Sequence, residues 1–201
     1  MRRLAILLVL LCGSVVPGLA QDAQSQALID HMKTGKLVHI SDIAVLMMDS
    51  ERWCYREQDG NCAWSDIYLA TSAKGATYEI SNPWSEEVDI SFIDEGVFKD
   101  DRYICETGLD WVPTVRAYGR ESGTAIEGRE LAALKDEIYG VVNVEDDDDC
   151  FDYLFQHHDK AAETVTLLQR QYVDGQTDPA NDALVTLYFN KEAADALGWY
   201  W

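Results

Sequence analysis

His157 and His158 stand beside Asp159, shortly after the acidic run Glu145-Asp146-Asp147-Asp148-Asp149. Imidazole and carboxylate together make a donor set for a divalent metal. Glu145, Asp147, Asp149 and His157 are therefore the candidate ligands, although adjacent histidines on a strand point to opposite faces and do not share one ion. Calcium in an EF-hand needs glycine sixth in its loop and a bidentate glutamate twelfth. Phe151 is sixth in a loop starting at Asp146; in one starting at Asp174, Pro179 is sixth and Val185 twelfth. No metal is assigned, and the run reads as a solvated acidic loop. Arg116, Tyr118 and Arg120 form the one local basic focus. On a strand they share a face, which makes them a candidate pocket for a small anion.

The familiar catalytic signatures G-x-S-x-G, H-E-x-x-H, G-x-x-x-x-G-K-[ST] and G-x-G-x-x-G are absent from the chain. Thirty-six acidic residues supply nearly every spacing by chance, so no carboxylate pair for hydrolysis can be singled out. The catalytic residues stay unassigned and no cofactor is expected.

Arg2 and Arg3 precede the apolar run Leu4–Cys12, and Gly18-Leu19-Ala20 has the small residues that a signal peptidase reads. Residues 1–20 are expected to be a signal peptide, with residues 21–201 forming a single domain. Without that segment the chain carries 14 basic against 36 acidic residues, a net charge of -22 rather than -20. No later stretch is apolar enough to span a bilayer. The four cysteines that remain, Cys54, Cys62, Cys105 and Cys150, allow three pairings. Cys54 and Cys62 flank the turn sequence Gln58-Asp59-Gly60-Asn61, so a local staple is expected there. Cys105 would then pair with Cys150, a long loop worth roughly 3–5 kcal/mol by chain entropy.

The elements that must position these residues are mostly strands. Residues 22–34 read as a helix with Leu28, Ile29 and Met32 on one face. From Ile40 to Cys105 the chain is rich in β-branched and aromatic residues. Expected strands are 43–48, 52–57, 63–72, 76–81, 88–93 and 97–105, with Glu95-Gly96 among the turns. Trp64-Ser65-Asp66 and Trp84-Ser85-Glu86 open two similar stretches. Thr124 and Glu127 fit a capping box for a helix whose buried face is Leu131, Leu134 and Ile138. Two strands, 164–173 and 183–189, follow; in the first Val165, Leu168 and Tyr172 also fit a helix, but the Thr-Val-Thr start favours a strand. Asn190 is placed to cap a short last helix. The fold class is α+β: mainly an antiparallel β meander with an N-terminal helix, one capped central helix and a short C-terminal helix.

Most of the six tryptophans are expected in the core, with Trp199-Tyr200-Trp201 docked on the domain. A terminal aromatic also resembles the assembly signal of outer-membrane barrels, but the expected helices and the four cysteines argue against that class. The charge excludes general nucleic-acid binding and adhesion to anionic membranes. Export, disulfides and the lack of a catalytic set point to a non-catalytic binding or accessory protein, periplasmic or secreted. Its acidity would favour a cationic partner such as a basic envelope protein. The alternatives are a carboxylate-dependent hydrolase of cell-envelope material, and an acidic domain whose charge selects no partner.

Overall fold

A computed structural model describes residues 22–108, 111–142 and 149–201. The expected signal peptide and the candidate ligands Glu145 and Asp147 lie outside the described residues.

The chain begins with α1 (Ala23–His31), β1 (Leu37–Val38) and α2 (Ile40–Asp49). Asp22 caps α1 by accepting from the Ser25 amide at 2.8 Å. The strands β2 (Arg52–Tyr55), β3 (Asn61–Cys62), β4 (Trp64–Ser72), β5 (Gly75–Pro83), β6 (Val88–Lys99) and β7 (Tyr103–Glu106) follow. After a 3-10 turn at Val112–Thr114 come β8 (Arg116–Gly119), β9 (Ala125–Ile126) and α3 (Gly128–Val141). The chain ends with β10 (Cys150–Asp159), β11 (Thr164–Val173), β12 (Gln176–Thr177), β13 (Ala183–Tyr188), α4 (Lys191–Asp195) and β14 (Gly198–Trp199). The fold is thus α+β with antiparallel sheet dominant.

The sheet closes on itself. β2 pairs with β4, β4 with β5, β5 with β6 and β6 with β7. β7 pairs with β10, β10 with β11, β11 with β13, and β13 returns to β2. Every step in this ring of eight strands is antiparallel. Bulges in β4, between Tyr68 and Ala70, and in β10, between Phe155 and His157, supply the bending that closure needs. An eight-stranded barrel is just wide enough for its side chains to fill, or to hold one small ligand.

The two ends of the barrel differ. At one end α2 is a plug. Ile43, Leu46 and Met47 are fully buried and belong to the same apolar cluster as Trp53, Val165, Leu167, Val185 and Leu187 of the wall. Burial of such side chains stabilises the fold by about 1.5–3 kcal/mol each. Residues 43–48, expected as a strand, are therefore part of a helix. Ile40, Ile43, Leu46 and Met47 recur at helical spacing and meet the barrel end together.

The ring is weakest between β7 and β10, where only Cys105–Cys150 and Ile104–Phe151 are in register. The Cys105–Cys150 disulfide crosses this seam, and Cys54–Cys62 joins β2 to β3. Outside the same seam, the fully buried Asp152 carboxylate accepts from the guanidiniums of Arg102 and Arg170 at 2.6–2.8 Å and from the Tyr172 hydroxyl at 3.1 Å. Charged pairs of this kind on the outer wall, with apolar side chains inside, are the reverse of a lipid-facing barrel. No helix among the described residues is long and apolar enough to cross a membrane.

A second, smaller core sits where β6 also pairs with β8, and β8 with β9. Ile90, Phe92, Val115 and Ile138 form it, with Leu131 and Leu134 of α3 packed against it. Two expectations change here. α3 starts at Gly128 with Glu127 at its cap, since Ala125 and Ile126 pair with β8 instead. Glu95-Gly96 is no turn: β6 runs through it, and Gly96 lets the Ile104 side chain approach to where a Cβ would stand. Trp199 and Tyr200 dock as expected, whereas Trp201 does not. β14 pairs with β3, and the Tyr200 hydroxyl donates to the Arg56 carbonyl at 2.7 Å. Trp53 is fully buried, whereas Trp201 is 67% exposed.

Candidate functional site

Alternation along the strands brings one set of side chains into the unplugged end of the barrel. Tyr55 comes from β2, Trp64, Asp66 and Tyr68 from β4, Tyr78 from β5, and Glu106 from β7. Phe151 and Tyr153 of β10, Gln169 and Gln171 of β11, and Asn181 before β13 complete the wall. They surround a cavity of about 310 Å³, at the small end of ligand-binding cavities.

The aromatic wall is ordered. Tyr55 and Trp64 are directly opposed in register and stack with ring centroids 4.7 Å apart. Tyr68 and Tyr78, also opposed, lie 5.3 Å apart in a tilted contact. Burial raises the Tyr55, Tyr68 and Tyr78 phenols well above their ordinary range. They stay neutral and present apolar faces and hydroxyl groups.

Asp66 is the exceptional group. It is 5% exposed. Oδ2 accepts from the Tyr55 hydroxyl at 2.8 Å, while buried Oδ1 has no partner among the described residues. Desolvation pushes the carboxyl up to about 7; the Tyr55 hydrogen bond opposes this and the charges of Asp94 and Glu106 reinforce it. Glu106 also rises to about 7, by desolvation first and then by Asp149 and Asp94. Glu106 keeps access to solvent at the mouth. Water screens it there, so Asp66 carries the larger consequence. Asp149 is held at the same rim by the Gln171 amide at 2.6 Å. The one cation in the lining, Arg56, is exposed and lies over the Trp64 ring at 5.7 Å.

The candidates named from the sequence lie elsewhere. Arg116 ion-pairs with Glu79, and Arg120 with Asp89 at 3.0 Å; Tyr118 is half-buried between them in β8. Both guanidiniums thus face carboxylates of β5 and β6 in the same sheet. His157 is exposed on β10, and Asp159 accepts from the Ala161 and Ala162 amides as a turn cap. Among the described residues no three of His, Cys, Asp and Glu come together to hold a metal ion. Asp66 and Glu106 escape a sequence reading because their acid type is so common here. The available signal is Trp64-Ser65-Asp66-Ile67-Tyr68, where strand alternation places an acid between two aromatic residues on one face.

Comparison of the chain with protein families, with curated proteins and with solved structures returns no match.

Proposed function

We propose that this chain is an exported, non-catalytic binding protein that holds one small molecule in the open end of its barrel. The observation that carries the reading is the cavity, plugged at one end, walled by aromatic rings and holding a buried carboxylate oxygen with no partner among the described residues. Small-ligand sites are concave and set a few convergent polar groups among apolar and aromatic walls; in this cavity polar and aromatic groups share the wall. A location outside the cytoplasm, periplasmic or secreted, belongs to the proposal; the two disulfides support it.

The test uses a panel of neutral, cationic and anionic aromatic molecules of indole size, followed by ligand-observed NMR and calorimetry. At least one should bind with 1:1 stoichiometry, and Gln171→Trp at the mouth should abolish its binding while the thermal transition persists. No binding at millimolar concentration, or binding indifferent to Gln171→Trp, overturns the reading.

Hydrolysis is a second reading, favoured by two carboxyls in one cavity that are both raised to about 7. A carboxyl in that range can serve as a general acid. This reading requires turnover of an aryl glycoside or ester that Asp66→Asn and Glu106→Gln both abolish.

A further inference from the structure

We propose that the barrel cavity selects a small organic monocation, an amine with an apolar body, whose ammonium pairs with Asp66 while its body lies against the aromatic wall. This inference rests on the small-ligand reading of the same cavity and names its ligand class.

Three observations converge. The first is the orphaned Asp66 Oδ1, nine-tenths buried and in the cavity lining. A buried acceptor without a donor is costly, and an ammonium brings both a donor and a countercharge.

The second is the balance of charge. Asp66 and Glu106 line the cavity, with Asp149 at the rim. Among the described residues Arg56 is the only basic one in that lining. It sits at the rim over Trp64, with its Nη2 directed at the Asp182 carbonyl 3.5 Å away. The other polar groups around Asp66 are neutral: the phenols of Tyr55 from β2, Tyr68 from β4, Tyr78 from β5 and Tyr153 from β10, and the amides of Gln169 and Gln171 from β11. A cation is the species that relieves this crowding; an anion worsens it.

The third is the wall itself. Trp64 is already engaged by Tyr55 and Arg56, but Tyr68, Tyr78 and Tyr153 add further aromatic surface to the lining, and aromatic faces attract organic cations desolvated from water. Among the described residues no three of His, Cys, Asp and Glu come together to hold a metal ion, whereas an ammonium needs only one carboxylate partner. The cavity volume of about 310 Å³ limits the ligand to a small amine and excludes the side chains of a folded basic protein acting together.

Binding of an ammonium would return the Asp66 carboxyl toward its ionised form. Its proton leaves to solvent, so binding and proton release are linked.

The experiment compares phenethylamine with its neutral near-isostere phenethyl alcohol by titration calorimetry on the full domain. At pH 8 the amine should bind at least tenfold more tightly than the alcohol. At pH 5.5 the amine should weaken at least tenfold and the alcohol should not change. Buffers of different ionisation enthalpy should report release of close to one proton per amine near pH 6. In Asp66→Asn, whose amide still accepts from Tyr55, the two probes should become equal, with alcohol affinity kept within threefold.

Equal binding of both probes by the unaltered chain overturns the amine inference and leaves the small-ligand reading standing. Loss of alcohol and amine together in Asp66→Asn overturns it too, because Asp66 then shapes the cavity and does not read charge. No binding of either probe, with no molecule of the wider panel bound, overturns both.

Discussion

Replacing Asp66 by asparagine alters one property with almost no change of shape: the side chain no longer ionises. In the unaltered chain the carboxyl rises from an ordinary value near 3.8 to about 7, mostly because burial strips water from the charged form. Between these values the folded state holds a proton that the unfolded state has lost. Stability therefore falls as pH rises through that window and levels off above the folded value. The rise corresponds to about 4 kcal/mol at 1.36 kcal/mol per tenfold change in proton affinity.

Water entering the open cavity lowers that figure, so Asp66→Asn should gain about 2–4 kcal/mol over the unaltered chain at pH 8.5. At pH 3 the two should agree to within about 0.5 kcal/mol, because the Asp66 carboxyl is then neutral in the folded chain and mostly neutral in the unfolded one. Urea unfolding followed by the fluorescence of buried Trp53 measures both, at half-unit pH steps. Taking the difference between the two proteins cancels every distant group that titrates equally in each. A difference that stays constant with pH refutes the reasoning. So does an Asp66→Asn protein less stable than its parent at pH 8.5, which would mean that the carboxylate is better satisfied than burial implies.

Removing the seam disulfide with Cys105→Ser and Cys150→Ser releases a loop with a sequence separation of 45 and leaves the shortest ladder of the ring unstapled. The chain-entropy model gives a loss of about 4 kcal/mol, measurable as a lower urea midpoint under conditions that keep Cys54–Cys62 oxidised. Asp152→Ala leaves the guanidiniums of Arg102 and Arg170, 35% and 28% exposed, facing each other without their shared carboxylate. The cost should be about 2–4 kcal/mol, below that of a fully buried pair because both arginines reach solvent; Asp152→Asn should recover part of it.

Some of the architecture can be read from the residues alone. β11 occupies Thr164–Val173 as expected, and in β13 the alternation of Ala183, Val185 and Leu187 marks the inward face. Asn190 caps α4 through the Ala193 amide at 3.0 Å. The failures share a cause. In Ile43–Met48 an apolar run fits either period, and only the barrel end that receives it decides for helix. At Ala125–Ile126 the pairing offered by β8 overrides a plausible cap. Closure of the ring is non-local: β7 and β10 are far apart in sequence, and their one visible link is the cysteine pair 105 and 150. That pairing, expected from elimination and turn chemistry, already contains the seam of the barrel. The site is less legible still. Asp66 becomes special through desolvation, which depends on strands that arrive from both ends of the chain.

Thirty-six acidic residues have one chemistry and several meanings, and position separates them. On the outer wall Glu79 and Asp89 each meet an arginine, and Asp152 meets two. In turns, Asp22 and Asp159 accept backbone amides. These carboxylates act locally and need nothing from outside. Asp66 is buried in the cavity wall, which strips most water from it, so it opposes folding when charged. Such a group persists where the rest of the structure offsets its cost and where a ligand restores its charge. Here the plug of α2 and the stapled seam supply the offset at the far end and along the wall. The open end is left free to hold an acid whose natural complement is a cation.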